Sequence, residues 1–558
     1  MGSIFIFSLI VAIVLTLIVI PIMPKQVKKA PKRNISVEYI GVTILFWLVV
    51  FGFYYLSNID RTISSLWFLL LIATALGALF ASGRERLFKA VLFLGSLVFM
   101  VYLLSAFLFN SNEKYTVSKM EEKVEIQAFD ESKTPASVPP KFARNKMKKA
   151  FGQVPNTSYY ELGELQIQKV GEEFVYIAPV EFSGFFKWRN GKTTPGYFKM
   201  SATDASNNPK FIKAEMTYSP SAYLNKDLNR FIRNQYPNLI FYGEPRLEIN
   251  DDGKPFYVRT YGRFISARDG FDMQGVVMVD PANGKTEKFT LGETPTFIDG
   301  AVSPEAVSLQ NSYFGKYIHG FWNSLFGKRD VKLPSDEGTV ANVSPIFDEN
   351  GNMVYFTDFT SPKEGVDSML GYSLTDARTG KATYYTGNLE ESYMDSQAAL
   401  QIIDKKFIEK KWSGEMPVLY NFFGKASWLT PVLDSNGFLQ NYFIVSAANP
   451  EISVFANTPN EALKLYKTAL QRGGSSVDGT SMAEEKSVAG TVIRVFKEKQ
   501  GDLTVVSFYL DNKQNFIISS EVAPLSIYLE AGDIVSLKYL NTGEIFMPVK
   551  ELRIEGLQ

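Results

Sequence analysis

The sequence predicts a membrane α-helical bundle of four spans, an α+β exterior of repeated helix and antiparallel-sheet modules, and a C-terminal small β-barrel. Three observations predict it. Four long uncharged apolar runs are confined to the first 109 of 558 residues. Short alternating strands, separated by Asp-Gly and Asn-Gly turns, then run to about residue 473. A Gly/Ser-rich linker and about five further strands close the chain. The boundaries expected are 1–109 for four transmembrane helices, 110–140 for a tether, 141–220 for a first β-rich module and 221–300 for a second module. Next come 301–332 for an aromatic amphipathic segment, 333–473 for further modules, 474–486 for a linker and 487–558 for the barrel.

The first run, Ile4 to Met23, matches the length needed to cross a hydrocarbon core of ~30 Å. A signal peptide would need a basic region before it and a small-residue cleavage site after it. Met1-Gly2-Ser3 precedes the run and Pro21-Ile22-Met23-Pro24 closes it, so a retained span is expected. The other spans are Ile40 to Leu56, Ile63 to Ala81 and Ala90 to Phe109. Lys25, Lys28, Lys29, Lys32 and Arg33 follow the first span; Arg84, Arg86 and Lys89, against Glu85, separate the third from the fourth. The turn between them in order, after the second span, holds only Asp60 and Arg61. The positive-inside rule puts both basic loops in the cytoplasm. The expectation is therefore a multi-pass protein of the cell membrane, with its N-terminus and everything after Phe109 extracytoplasmic. The spans contain no Asp, Glu, Lys, Arg or His, which argues against an ion or proton pathway. Ala73, Gly77 and Ala81 form a small-residue stripe on the third span, either for packing within the bundle or for a second membrane protein.

Beyond residue 109 the charge is mildly acidic, about −6, which disfavours a nucleic-acid surface. Asn110 to about Pro140 is rich in Lys, Glu, Ser and Pro and reads as a tether. Pro345 to Gly351 and Pro431 to Gly437 share the pattern Pro, two apolar residues, Asp, any residue, Asn, Gly, with Asn250 to Gly253 a looser copy. Only part of a calcium-loop ligand set is present, so these read as hairpin turns needing positive φ. A second element, strand, Asp-initiated turn and Gly-Lys, occurs at Gly275 to Lys285 and Gly371 to Lys381, whereas Ser446 to Pro450 stands where a third Gly-Lys turn would fall. Helices are expected over Asp227 to Tyr236, Ser396 to Lys411 and Asn460 to Gln471. A helix followed by strands and this turn resembles the PepSY module of bacterial envelope proteins, over about 250 residues. The resemblance implies a binding or regulatory role and supplies no catalytic residue.

Tyr313 to Phe326 is the most aromatic stretch outside the spans. As one helix it would place Phe314, Ile318, Phe321, Trp322 and Leu325 on a single apolar face, resting on the membrane interface, on a partner, or on the chain's own sheets. The five strands expected after Ser487, interrupted near Ala523 to Leu529, resemble an OB-like barrel. With 11 acidic against 8 basic residues from Glu484 to Gln558, this barrel reads as a protein or glycan contact or a cap, not an oligonucleotide site.

No cysteine and a single histidine, His319, exclude thiol chemistry, iron–sulfur clusters and multi-histidine metal sites. No catalytic, metal or cofactor residue is nominated. The function expected is a non-enzymatic, membrane-anchored envelope protein presenting extracytoplasmic binding or scaffold modules within a membrane protein assembly. Protein partners are expected and a homo-oligomer is compatible. The alternatives are a subunit of a secretion or conjugation machine, or a wall-acting hydrolase using carboxylates such as Glu390 with Glu391 or Glu364 with Asp367.

Overall fold

A computed structural model of the chain describes residues 2–22, 35–124, 138–348, 350–363, 365–387, 391–472, 484–500, 503–520, 522–541 and 545–557. Lys25, Lys28, Lys29, Lys32, Arg33 and most of the expected tether and linker lie outside the described residues.

Four apolar helices open the chain: α1 (Gly2–Val19), α2 (Ile35–Ser57), α3 (Trp67–Phe80, after a 3-10 turn at Ile63–Leu66) and α4 (Gly83–Phe109). Three stretches, Ser36–Ser57, Ile63–Phe80 and Gly83–Phe109, are long and apolar enough to cross a membrane; α1 is shorter, its apolar run being Ile4–Val19. Pro21, which has no N–H to donate, follows its end. Several hydroxyls within the helices are satisfied internally, as an apolar surrounding favours. Thr16 donates to the Ala12 carbonyl at 2.7 Å, and the Thr74 and Ser96 hydroxyls join α3 to α4 at 2.8 Å. The small-residue stripe is used inside this bundle. Ala73 and Ala81 are buried, and a Cβ placed on Gly77 would strike the carbonyl oxygen of Ile18 on α1.

The expected tether is structured where it leaves the bundle. Ser111–Val117 forms α5, and Glu121–Lys123 adds a strand in parallel to Ala382–Tyr385. The remaining helices are α6 (Pro140–Lys149), α7 (Phe185–Gly191), α8 (Leu228–Gln235), α9 (Pro304–Lys316), α10 (Gly320–Trp322), α11 (Ser396–Lys406) and α12 (Pro459–Arg472). Asp227 and Asp395 cap α8 and α11 by accepting from the N–H groups of Arg230 and Ala398.

Four sheets share one topology. Two short strands pair with successive stretches of a long strand, which continues as an antiparallel meander. The long strands are Glu173–Phe182, Pro255–Arg263, Met353–Thr360 and Lys425–Leu433. Each sheet follows a helix, α6, α8, α9 or α11 respectively. The first two sheets share a core in which Val175, Ile177 and Tyr197 meet Leu247, Tyr257 and Val277 above α8. The third and fourth share Phe356, Trp428 and Phe443. A central core containing Phe142, Tyr176, Phe198, Val307, Tyr355 and Leu433 ties these two pairs together.

The connection after the second long strand is equivalent in all four sheets. Asp280 and Asp376 each accept backbone N–H bonds from the residues that follow, those of Ala282 and Arg378 at 3.0 Å. Ser446 does the same with Asn449, and Ser201 with Thr203 and Asp204. Ser201 is a fourth copy that the sequence pattern does not reveal. The Asp-x-Asn-Gly turns are locally alike, with Gly351 and Gly437 both at φ +77°. They occupy different places: the first enters a long strand from its short neighbour, and the second joins two long strands.

The aromatic stretch departs from expectation. It is not one helix, because α9 ends at Lys316 and the chain turns through Gly320 at φ +81° into α10 and the π turn Asn323–Gly327. Phe314 is therefore buried against Phe359 and Tyr384, whereas Trp322 and Leu325 are exposed. They do not share a face.

The last unit is a closed five-stranded barrel. Glu484–Gln500 pairs through its first half with Ile534–Asn541 and through its second half with Leu503–Leu510. Asn515–Ser519 pairs in parallel with Phe546–Ile554, and the short helical turn Pro524–Tyr528 precedes the fourth strand.

Gly77→Leu is expected to destabilise the helix bundle itself, because overpacking costs ~1–3 kcal/mol. The measurement is thermal aggregation of the full chain in detergent: a lowered midpoint is expected, and an unchanged one would show that the α1–α3 contact tolerates a side chain.

Candidate functional site

The densest arrangement of ionisable side chains near the bundle lies where its α2–α3 loop meets the second sheet unit. Asp60 and Arg61 are both buried there. Arg268 donates both terminal nitrogens to the Asp60 carboxylate, at 2.8 and 2.9 Å, and Thr62 donates to it as well. The Arg61 N–H bonds the Pro237 carbonyl at 2.8 Å and its guanidinium bonds Asn234 at 2.6 Å. From α8, Arg233 donates to the Asn58 carbonyl at 3.1 Å, and Arg230 bonds the Tyr55 hydroxyl at 3.0 Å while covering its ring. One carboxylate thus sits among Arg61, Arg233 and Arg268.

Burial works against the Asp60 charge, yet the hydrogen bonds from Arg268 and Thr62 prevail and hold the carboxyl below its usual range. Burial, then neighbouring Arg259, pushes Arg233 down to about 10, so it stays charged at neutral pH. Arg268 reaches the site from a tight turn, Ser266 to Asp269, in which Ala267 and Arg268 are both left-handed, at φ +46° and +61°. Asp269 of the same turn pairs with Lys114 of α5 at 2.7 Å, and Lys114 lies over the rings of Tyr313 and Tyr317. Chemically this is a docking centre: it fixes the second sheet unit against the end of the bundle that bears the α2–α3 loop.

The residues nominated from sequence are placed as follows. Lys89 is buried at the opposite end, paired with Glu85 at 3.0 Å and donating to the Ile20 carbonyl at the end of α1, while Arg84 and Arg86 are exposed. His319 pairs with Asp330 at 2.8 Å on the surface. Glu391 pairs with Lys425 at 3.5 Å, and Glu364 and Glu390 lie outside the described residues. The docking arginines were missed because Arg230, Arg233 and Arg268 read as surface charge. The only local signal was a charged dipeptide, Asp60-Arg61, between two apolar runs.

A second ionisable group lies at the centre of the exterior. Arg246 donates to the Tyr355 hydroxyl at 2.8 Å and to the carbonyls of Gly300 and Val302. Glu248 accepts from the Gly300 N–H at 3.1 Å, and its other oxygen has no hydrogen-bond partner among the described residues. Asp299 accepts from the Lys169 N–H at 2.6 Å. Burial, then the neighbouring Asp299 charge, pushes Glu248 up to about 8; burial also pushes Asp299 up to about 6. The adjoining cavity, lined by Tyr176, Arg246, Glu248 and Tyr355, has a volume of about 20 Å³, room for about one water.

Comparison with known proteins gives little. No family model matches the chain, and no curated protein matches it. Among solved structures, a "Glycoside hydrolase" aligns at 9% identity over 67% of this chain and 94% of that one, with a TM-score of 0.18. An exo-beta-1,3-galactanase from Phanerochaete chrysosporium aligns at 11% over 62% and 76%, with a TM-score of 0.19. A B. megaterium levansucrase mutant aligns at 10% over 80% and 95%, with a TM-score of 0.17. At such TM-scores the likeness carries no argument about fold or activity.

Two measurements follow from these sites. Asp60→Ala is expected to destabilise the full chain by about 3–5 kcal/mol, more than Arg268→Ala, because it leaves several buried arginines without their carboxylate. Denaturation of both variants and of the double variant reads this, and a double variant no worse than Asp60→Ala is the expected coupling. Glu248 has a folded pKa above its unfolded one, so its folded state holds the proton more tightly. Its contribution is present below about pH 4.5 and is lost as pH rises through about 8, a slope on the order of 1 kcal/mol per pH unit. Glu248→Gln is expected to flatten the fall in melting temperature between pH 5 and 8.

Proposed function

We propose that the chain is a membrane-anchored, non-enzymatic envelope protein that presents binding modules outside the cell. All four apolar helices serve as spans, and the N-terminus and the region after Phe109 are extracytoplasmic. The observation that carries this reading is the docking centre: the loop between α2 and α3 and the exterior lie at one end of the bundle, joined by the Asp60–Arg268 pair. The basic Arg84 and Arg86 are exposed at the other end, which fits the positive-inside rule. A fixed platform of sheets held by its anchor suits a role in binding and assembly.

The PepSY-like reading of the sheet units is supported by the recurrence of a helix, an antiparallel meander and a side-chain-capped turn. The OB-like reading of the last unit is supported by its closed strand order and by the helical turn before the fourth strand. Both are proposed as surfaces for other envelope proteins.

The chain contains no cysteine, so single cysteines report topology directly. With a membrane-impermeant maleimide on intact cells, Asn512→Cys is expected to label and Arg86→Cys to label only after permeabilisation. The reverse pattern would overturn the orientation. Cleavage of wall polysaccharide or peptide by the purified chain, abolished by a single carboxylate substitution, would overturn the non-enzymatic reading.

A further inference from the structure

Two aromatic segments on the exterior remain uncovered, and both adjoin the helix bundle. The first is α7 with the loop that packs on it. Phe185 meets Tyr223 edge-on at 5.2 Å and Trp188 lies 5.6 Å from the same ring, while Phe186 is 76% exposed and Leu224 is 48% exposed. Leu224 lines a recess together with Ile4 of α1, Phe51 and Tyr55 of α2 and the polar Asn58, Arg61 and Arg230, which places this cluster beside those helices. The second segment is α10 with its π turn. Phe321 packs edge-on against Phe107 near the end of α4, at 5.4 Å. Trp322 and Phe326 stack nearly parallel at 6.0 Å yet are 62% and 74% exposed, with Leu325 exposed beside them. Each segment carries exposed basic residues, Arg189 in one and Lys328 and Arg329 in the other.

We propose that these two segments are interfacial anchors, which insert their aromatic side chains into the outer leaflet of the bilayer that the bundle spans. The inference rests on the membrane reading given above. Three observations choose lipid as the occupant. The patches are continuous with helix surfaces whose own apolar residues face outward, such as Val98 and Phe109 on α4. Their composition, rings with flanking Arg and Lys, is that of interfacial segments, where amphipathic rings sit at the headgroup level and basic ends reach the phosphates. They also lie beside different helices of the bundle, one sharing a recess with α1 and α2 through Leu224 and the other packing on α4 through Phe321. The exterior would then rest on the membrane at two further points beside its docking centre. That arrangement restrains tilting of the sheets relative to the bilayer.

The test uses the full chain, with Phe186→Cys, Phe326→Cys, Val98→Cys and Asn512→Cys each labelled with an environment-sensitive fluorophore and reconstituted into phosphatidylcholine/phosphatidylglycerol vesicles. Leu325→Cys replaces Phe326→Cys if the latter does not fold. Labels at 186 and 326 are expected to shift to the blue and to be quenched by lipids brominated near the headgroup end of the chain, at a depth of roughly 5–10 Å. The label at 98 is expected to be quenched by deep bromines, and that at 512 by neither. Quenching at 98 without quenching at 186 and 326 would overturn the anchors and leave the membrane reading standing. A blue shift at 186 or 326 without quenching would also overturn them, since protein rather than lipid would then cover the patch. No quenching at 98 would overturn the membrane reading itself. Quenching at only one of the two segments would overturn the proposal for the other.

Discussion

One buried carboxylate ties the second sheet unit to the loop between α2 and α3. Asp60 is held by Arg268 and lies within the field of Arg233. An exposed pair of this kind would contribute ~0–1 kcal/mol, since water screens it and the side chains lose freedom. With side-chain exposures of 5% for Asp60 and 18% for Arg268, screening is weaker than at the surface, and the guanidinium groups repel one another if the carboxylate is absent. The loop that bears Asp60 is fixed by two apolar helices. Arg233 and Arg268 belong to the second sheet unit, whose core is shared with the first sheet. Through that core and the central one, the Asp60–Arg268 contact is linked to the other three meander sheets.

The turn from Ser266 to Asp269 makes this coupling possible. Its two left-handed residues, neither of them glycine, each cost roughly 1–2 kcal/mol. In return the turn reaches two parts of the bundle at once. Arg268 engages the α2–α3 loop, and Asp269 engages Lys114 where α4 passes into α5. Strained backbone that positions charged side chains persists only where surrounding contacts over-determine it, and here two ion pairs do so. A second restraint follows α5, where Glu121–Lys123 joins the edge of the third sheet.

What the sequence revealed follows the range of the interactions involved. The apolar runs were legible because lipid demands uninterrupted apolar helix, and the Asp-x-Asn-Gly turns because their hydrogen bonds close within four or five residues. Their place in the sheets was not legible: Asp348 and Asp434 make the same local bonds at different connections. Residues 111–117 read as tether because Lys114 is polar; it is buried by Asp269, Tyr313 and Tyr317, all more than 150 residues away in the chain. The aromatic stretch read as one helix because His319-Gly320 fits a helical spacing, and only the backbone shows that Gly320 takes a positive φ there. The docking centre was the least visible of all, since counting Asp60 and Arg61 as a neutral pair conceals the distant arginines that complete it.

That distance also reconciles the arginines with the orientation proposed for the bundle. Four of them, Arg61, Arg230, Arg233 and Arg268, lie at the end of the bundle opposite Arg84 and Arg86. Taken as loop charge they would oppose the bias set by the basic loops. The positive-inside rule, however, weighs residues within about 15–20 positions of a span. Arg233 is 175 residues from Asn58, which it bonds, and Arg268 is 208 from Asp60. Of these four, only Arg61 lies close enough to a span to weigh on the proposed orientation, and it is a single charge against the basic residues of the other two loops. The other three lie more than 100 residues beyond the last span, outside the reach of the rule. Splitting the cluster between a short loop and a distant domain is thus compatible with the proposed orientation, since most of its charge lies too far along the chain to oppose the basic loops.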